Sequence, residues 1–119
     1  MMNIRTLIMA TGIGLVAQLA MVICGHFVPA ISQGFAVGGV LISLLAGLIY
    51  VRFHRAGWGD ALIGGAIAGG VCAFLGIAVS CLMGDVTPGV LLFGTLGSAV
   101  GGLIGGAVGR ALPGAAAAA

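Results

Sequence analysis

The chain has 119 residues, of which 61% are hydrophobic and 5% charged, with a formal net charge of +2 and a mean hydropathy of +1.34. That composition excludes a soluble globule, whose surface needs far more polar side chains than this chain owns. It also leaves no basic surface for a nucleic acid partner, and it places the protein in a lipid bilayer.

A helix crosses roughly 30 Å of hydrocarbon with about 20 predominantly apolar residues. Charge-free windows of that length occur at about 6–25, 30–51, 61–84 and 86–109. They take up most of the chain and leave only a short tail at 110–119. Because the connections are a handful of residues each, neighbouring helices must run antiparallel. The expected fold is therefore an all-α integral membrane protein, an up-down bundle of four transmembrane helices forming a single membrane domain.

The first span begins after Arg5. It exceeds the apolar core of a signal peptide, about 7 to 15 residues, and no small residue precedes Cys24 as a lipoprotein cleavage site requires, so it is expected to stay in place. Gln18 lies near its centre on the ridge Thr6, Ala10, Gly14, Gln18 and is expected to face protein. An interhelical hydrogen bond from such a residue serves register and contributes roughly 0.6 kcal/mol on average. Small four-helix multidrug exporters match this chain in size but are expected to carry a carboxylate in the first span. Gln18 cannot ionise.

The second span runs from Ala30 to Val51, between Pro29 and Arg52, and Tyr50, Phe53 and Trp58 cluster around the connection that follows it. Tyr and Trp favour the headgroup level, so Tyr50 and Trp58, with Arg52 and Arg55, read as interfacial anchors. The two arginines suit the negative end of the second helix and Asp60 the positive start of the third. Thr87-Pro88 reads as the cap and first turn of the fourth helix, and Pro113-Gly114 as its close.

The stretch GTLGSAVGGLIGGAVGRA, Gly94 to Ala111, holds seven glycines in eighteen residues. In water each interior glycine costs a helix roughly 1 kcal/mol. In hydrocarbon an unwound backbone has no solvent to bond, so the helix persists and the glycines become a contact surface. Gly97, Gly101, Gly105 and Gly109 form one ridge, with Gly94, Ser98, Gly102 and Gly106 beside it. The third span repeats the pattern with Gly57, Ala61, Gly65, Gly69 and Ala73, flanked by Gly64, Ala68, Cys72, Gly76, Ser80 and Gly84. Glycine-zipper packing of the third helix on the fourth is expected, at a right-handed crossing near −40°. A phosphate cradle would need a preceding strand and access to solvent, which a spanning helix lacks. LIGGAI at Leu62–Ile67 recurs as LIGGAV at Leu103–Val108, a hint of hairpin duplication in oppositely directed helices.

Arg5, Arg52, Arg55 and Arg110 all fall on one side of a four-span chain, and the other side has no Lys or Arg. The positive-inside rule then puts both termini in the cytoplasm, with a bacterial inner membrane as the default location. No Asp, Glu, Lys, Arg or His lies in the middle of a span, which argues against ion-coupled exchange. His26 and His54 sit outside the spans, where haem ligation is unnatural, and Asp60 and Asp85 are too far apart to act as a catalytic pair. Cys24 and Cys81 could meet near one end of the bundle, although buried unpaired thiols are the commoner outcome. No cysteine or histidine pair has metal-ligand spacing. Neither enzyme activity nor a cofactor is expected. Two functional classes fit: a structural or accessory subunit packing against other membrane subunits, and a homo-oligomeric pore, holin-like or passive, lined by Gln18, Ser43 or Thr95.

Overall fold

A computed structural model describes residues 2–54 and 57–112. Arg55 of the expected anchors and the Pro113-Gly114 stop lie outside the described residues. Five helices follow in order: α1 (Ile4–Phe27), α2 (Pro29–Ser32), α3 (Phe35–Phe53), α4 (Trp58–Leu82) and α5 (Pro88–Ala111). Four of them are long and apolar enough to cross a membrane. The bundle measures 44 × 21 × 20 Å.

The helix ends have local causes. Asn3 caps α1, its Oδ1 accepting the Thr6 amide at 3.0 Å. Pro29 forces Val28 into an extended conformation and ends α1. Proline then opens the single turn of α2, and the chain bends at Gln33-Gly34 before α3. The second window is thus not one continuous helix. Its spanning part has 19 residues, about 28 Å at 1.5 Å per residue, with the α2 turn lying beyond it. Asp60 sits inside the first turn of α4, where a carboxylate complements the helix dipole, so α4 starts at Trp58 rather than at 61. Its other end is a Schellman cap. Gly84 takes a φ of 79° while its amide bonds the Cys81 carbonyl and the Asp85 amide bonds the Ser80 carbonyl. Gly84 therefore terminates α4 instead of extending a packing ridge. Thr87 and Pro88 do open α5, but the Thr87 side chain makes no capping bond.

In cross-section the bundle is a rhombus. α3 and α4 touch along its short diagonal, and each packs on both α1 and α5, which make no substantial interface with one another. The interior is sorted by size rather than polarity: apart from Val22, Tyr50 and Val51, its buried hydrophobic residues are alanines and Cys72. Large side chains such as Ile8, Val16, Leu92 and Phe93 point outward, as a lipid-facing surface allows.

Glycine decides where backbones meet. A methyl group at Gly102 would overlap the Gly65 carbonyl and come within 2.9 Å of the Gly69 Cα, and one at Gly106 would overlap the Ala61 carbonyl. Gly65 and Gly69 of α4 therefore lie directly against α5, and the two LIGGA segments sit side by side. The neighbouring ridge meets a different partner. Gly101 and Gly105 lie against the Val40 and Leu44 carbonyls, and Gly109 against Val51 and the Leu48 carbonyl, all on α3. Gly47 of α3 completes this contact, since a methyl there would overlap the Gly102 carbonyl. Gly76 faces neither α3 nor α5, because its missing side chain makes room for Gln18 of α1, whose Cβ would be 2.8 Å from an added methyl. Gly97 departs from its ridge altogether: it is exposed, with nothing within 4 Å of the position a Cβ would take.

Gly105→Leu should destabilise the bundle by roughly 3 kcal/mol, with Gly101→Leu less severe, because side chains of that size have no space against α3. Val100→Leu, at an exposed site, should stay within about 0.5 kcal/mol. Unfolding in mild detergent measures both, and equal tolerance at the three positions would overturn the close-contact assignment.

Candidate functional site

Polar side chains gather at three levels of the bundle. The middle level centres on Gln18, which is 1% exposed and projects from the buried stripe Ala10, Gly14, Gln18, Val22 of α1. Its Nε2 donates to the Gly39 carbonyl at 3.1 Å and to Ser43 Oγ at 3.3 Å, with Cys72 Sγ at 3.9 Å. A carbonyl only accepts, so the amide nitrogen must be the atom facing Gly39. Ser43 in turn donates to the Gly69 carbonyl at 3.0 Å, and Cys72 donates to the same oxygen at 3.3 Å. One node therefore links α1, α3 and α4 at the residue where α4 also meets α5. None of the three Gln18 bonds uses its Oε1.

The second level closes the end where α3 passes into α4. Tyr50 is fully buried, so it does not hold its ring among headgroups as an anchor would. Its hydroxyl donates to Asp60 Oδ1 at 2.7 Å and accepts the Asn3 amide at 3.1 Å. Its ring occupies the space left by the missing side chain of Gly64. His54 Nε2 lies 2.9 Å from the other carboxylate oxygen of Asp60. Sequence reasoning assigned these residues separately and missed the cluster. The available signal was their separation of 10 and 6 residues across one tight hairpin, which brings the end of one helix beside the start of the next. Trp58 is half exposed at the same end, with the Arg110 guanidinium 5.4 Å from its ring centroid, and Arg52 is exposed.

The third level lies at the opposite end. There His26 Nδ1 is 2.8 Å from Asp85 Oδ2, which ties α1 to the turn between α4 and α5. Cys24, Cys72 and Cys81 are free thiols, with Cys81 Sγ donating to the Thr87 carbonyl at 3.5 Å. Asp60 and Asp85 sit in different clusters at the two ends. Among the described residues no group of three His, Cys, Asp or Glu side chains is placed to hold a metal ion.

Between the middle and third levels lies a cavity of about 350 Å³. Gln18, Ser80 and Ile77 form part of its inner wall, and Ala36, Val40, Phe93 and Gly97 form part of its outer rim. Thr95, expected as a polar lining residue, sits elsewhere, in two shallow grooves on the α4 and α5 surface.

These features define a compact multi-span helical membrane protein whose interior polar groups hold helices together. No family model, no curated protein and no solved structure matches this chain.

Tyr50→Phe should cost about 1–3 kcal/mol, because Asp60 Oδ1 and the Asn3 amide each lose the bond the hydroxyl makes, while His54 stays beside Oδ2. Arg52→Ala, at an exposed position, should change stability by no more than about 0.5 kcal/mol; similar losses for the two variants would remove the clamp. For the middle level, a double-mutant cycle of Gln18→Ala with Ser43→Ala should give a coupling of roughly 0.6 kcal/mol. A coupling of zero would mean that the node does not act as one unit.

Proposed function

We propose that this protein is a non-catalytic structural or accessory subunit of a larger membrane assembly, held in shape by a glycine zipper in α4 and α5. The observation that carries the reading is the use made of its polar groups. Gln18, Ser43 and Cys72 bond one another between helices, while Tyr50, His54 and Asp60 clamp one end. A catalytic site needs groups poised for substrate, and here these side chains are committed to helix contacts.

The surface favours a protein neighbour on the α4 and α5 side. Thr95 Oγ1 is shielded and has no hydrogen-bond partner among the described residues. It lies where two surface grooves meet, one along Ile67, Val71 and Phe74 and the other along Leu91, Leu92 and Leu96. A helix from another subunit, carrying a polar side chain, would fill the grooves and satisfy that hydroxyl. A ring-shaped pore draws less support, because Gln18 and Ser43 are enclosed within a single protomer. The placement proposed is a bacterial inner membrane with both termini cytoplasmic. Arg5, Arg52 and Arg110 all belong to the end of the bundle that would then face the cytoplasm.

Extraction from the native membrane in mild detergent, followed by native mass and identification of every co-migrating chain, tests the reading. The expected result is a stoichiometric complex with at least one unlike membrane subunit, weakened by Thr95→Leu. A lone protomer would overturn the proposal, and so would a homo-oligomer that passes solutes through liposomes.

A further inference from the structure

The cavity between the middle and third levels has the features of a ligand site rather than a packing fault. At about 350 Å³ it exceeds the occasional small voids of a close-packed interior and falls at the lower end of the range for small-molecule pockets, about 300–1,000 Å³. All four long helices line it. The contacts described above explain why it exists. α5 is pressed against α3 through Gly101, Gly105 and Gly109, yet one turn further along, a Cβ at Gly97 would meet nothing within 4 Å. The two helices therefore part towards the His26 end, and the gap opens sideways.

Its mouth faces lipid. The exposed lining residues, Ala36 and Val40 on α3 with Val90, Phe93 and Gly97 on α5, flank that gap, whereas the lining residues of α1 and α4 are buried or half-buried. An occupant would enter from the bilayer, so it must be lipophilic. Among the described residues no charged side chain lines the cavity, so the occupant must also be neutral.

The inner wall carries the chemical information. Ser80 is 1% exposed, lines the cavity, and its Oγ has no hydrogen-bond partner among the described residues. A buried hydroxyl without a partner is costly, and water is a poor remedy in surroundings this apolar, since apolar cavities tend to stay dry and accept hydrocarbon. Gln18 lies about one helical turn deeper, because Gly76, which faces it, precedes Ser80 by four residues, roughly 6 Å of helix. Its Oε1 is the part of the amide that its own network leaves unused.

We propose that this cavity binds a small neutral lipophile bearing one hydroxyl, an alcohol or phenol, that enters from the membrane between α3 and α5. Its hydroxyl pairs with Ser80 Oγ, and its apolar body lies against Phe93, Val90 and Val40. The volume suits a single short chain or ring and is too small for a whole phospholipid. Binding there does not depend on any protein partner.

A diazirine derivative of octanol, photolysed with the full chain in phosphatidylcholine vesicles, tests the assignment by mass-spectrometric mapping of labelled peptides. Saturable labelling within residues 35–40 and 86–97, displaced by octanol, is the expected result. Gly97→Phe places a ring in the mouth at a position with open space, so it should keep its thermal stability and lose at least tenfold of that labelling. Ser80→Ala should weaken displacement by octanol roughly fivefold, the effect of one lost hydrogen bond, and leave displacement by octane unchanged. Labelling spread over the lipid-facing surface without competition would overturn the site. If octane and octanol competed equally and Ser80→Ala had no effect, the cavity would be a seat for acyl chains and the hydroxyl-specific assignment would fall. A cross-link from these residues to a second copy or another protein, with no bound probe, would also overturn it.

Discussion

The closeness with which α5 approaches both α3 and α4 governs the rest of the architecture. Gly102 sits where three backbones converge, with Gly47 on one side and Gly65 and Gly69 on the other. In lipid there is little to gain from hiding one apolar side chain behind another, so attraction between helices comes from contact made at short range. The short diagonal of the rhombus, the separation of α1 from α5 and the cleft beyond Gly101 all follow from that convergence. Where the glycine contacts stop, the helices part.

Polar groups supply what close contact cannot, namely register and closure at the ends. The Gln18 node ties α1 to a trio of helices whose backbones otherwise touch one another. Tyr50 with Asp60 at one end and His26 with Asp85 at the other fasten the hairpins where the chain turns. Two of these contacts depend on a small neighbour. Gly64 admits the Tyr50 ring, and Gly76 admits Gln18.

Much of the fold was legible in the residues because length without charge is an unambiguous requirement for crossing a bilayer. Each of the four windows read from that rule overlaps most of one long helix, and the helices run two or three residues past them. Their limits moved where local chemistry intervened: the bend at Gln33-Gly34 broke the second window, Asp60 was taken into the first turn of α4, and Gly84 adopted the left-handed conformation that ended it. Which partner each glycine meets was not legible, since a spacing of four defines a ridge but not the direction in which it points. Gly101 and Gly102 are adjacent in sequence and face different helices. On α3 the spacing of Gly39, Ser43 and Gly47 carried the same signal as the more conspicuous glycines of α4 and α5. Tyr50 was misplaced because an aromatic residue at the end of a span resembles a headgroup anchor until its hydroxyl is seen between Asp60 and Asn3.

An interior sorted by size and not by polarity reverses the usual ranking of substitutions. In a water-soluble protein the damaging change inside is the one that adds polarity, and a hydropathy scale orders such changes sensibly. Here the buried seams are glycine, alanine and serine, so replacing one of them with valine or isoleucine raises the hydropathy of the span while driving its neighbours apart. For this chain, tolerance to mutation should follow side-chain volume, and a scale of hydrophobicity would order the buried positions backwards.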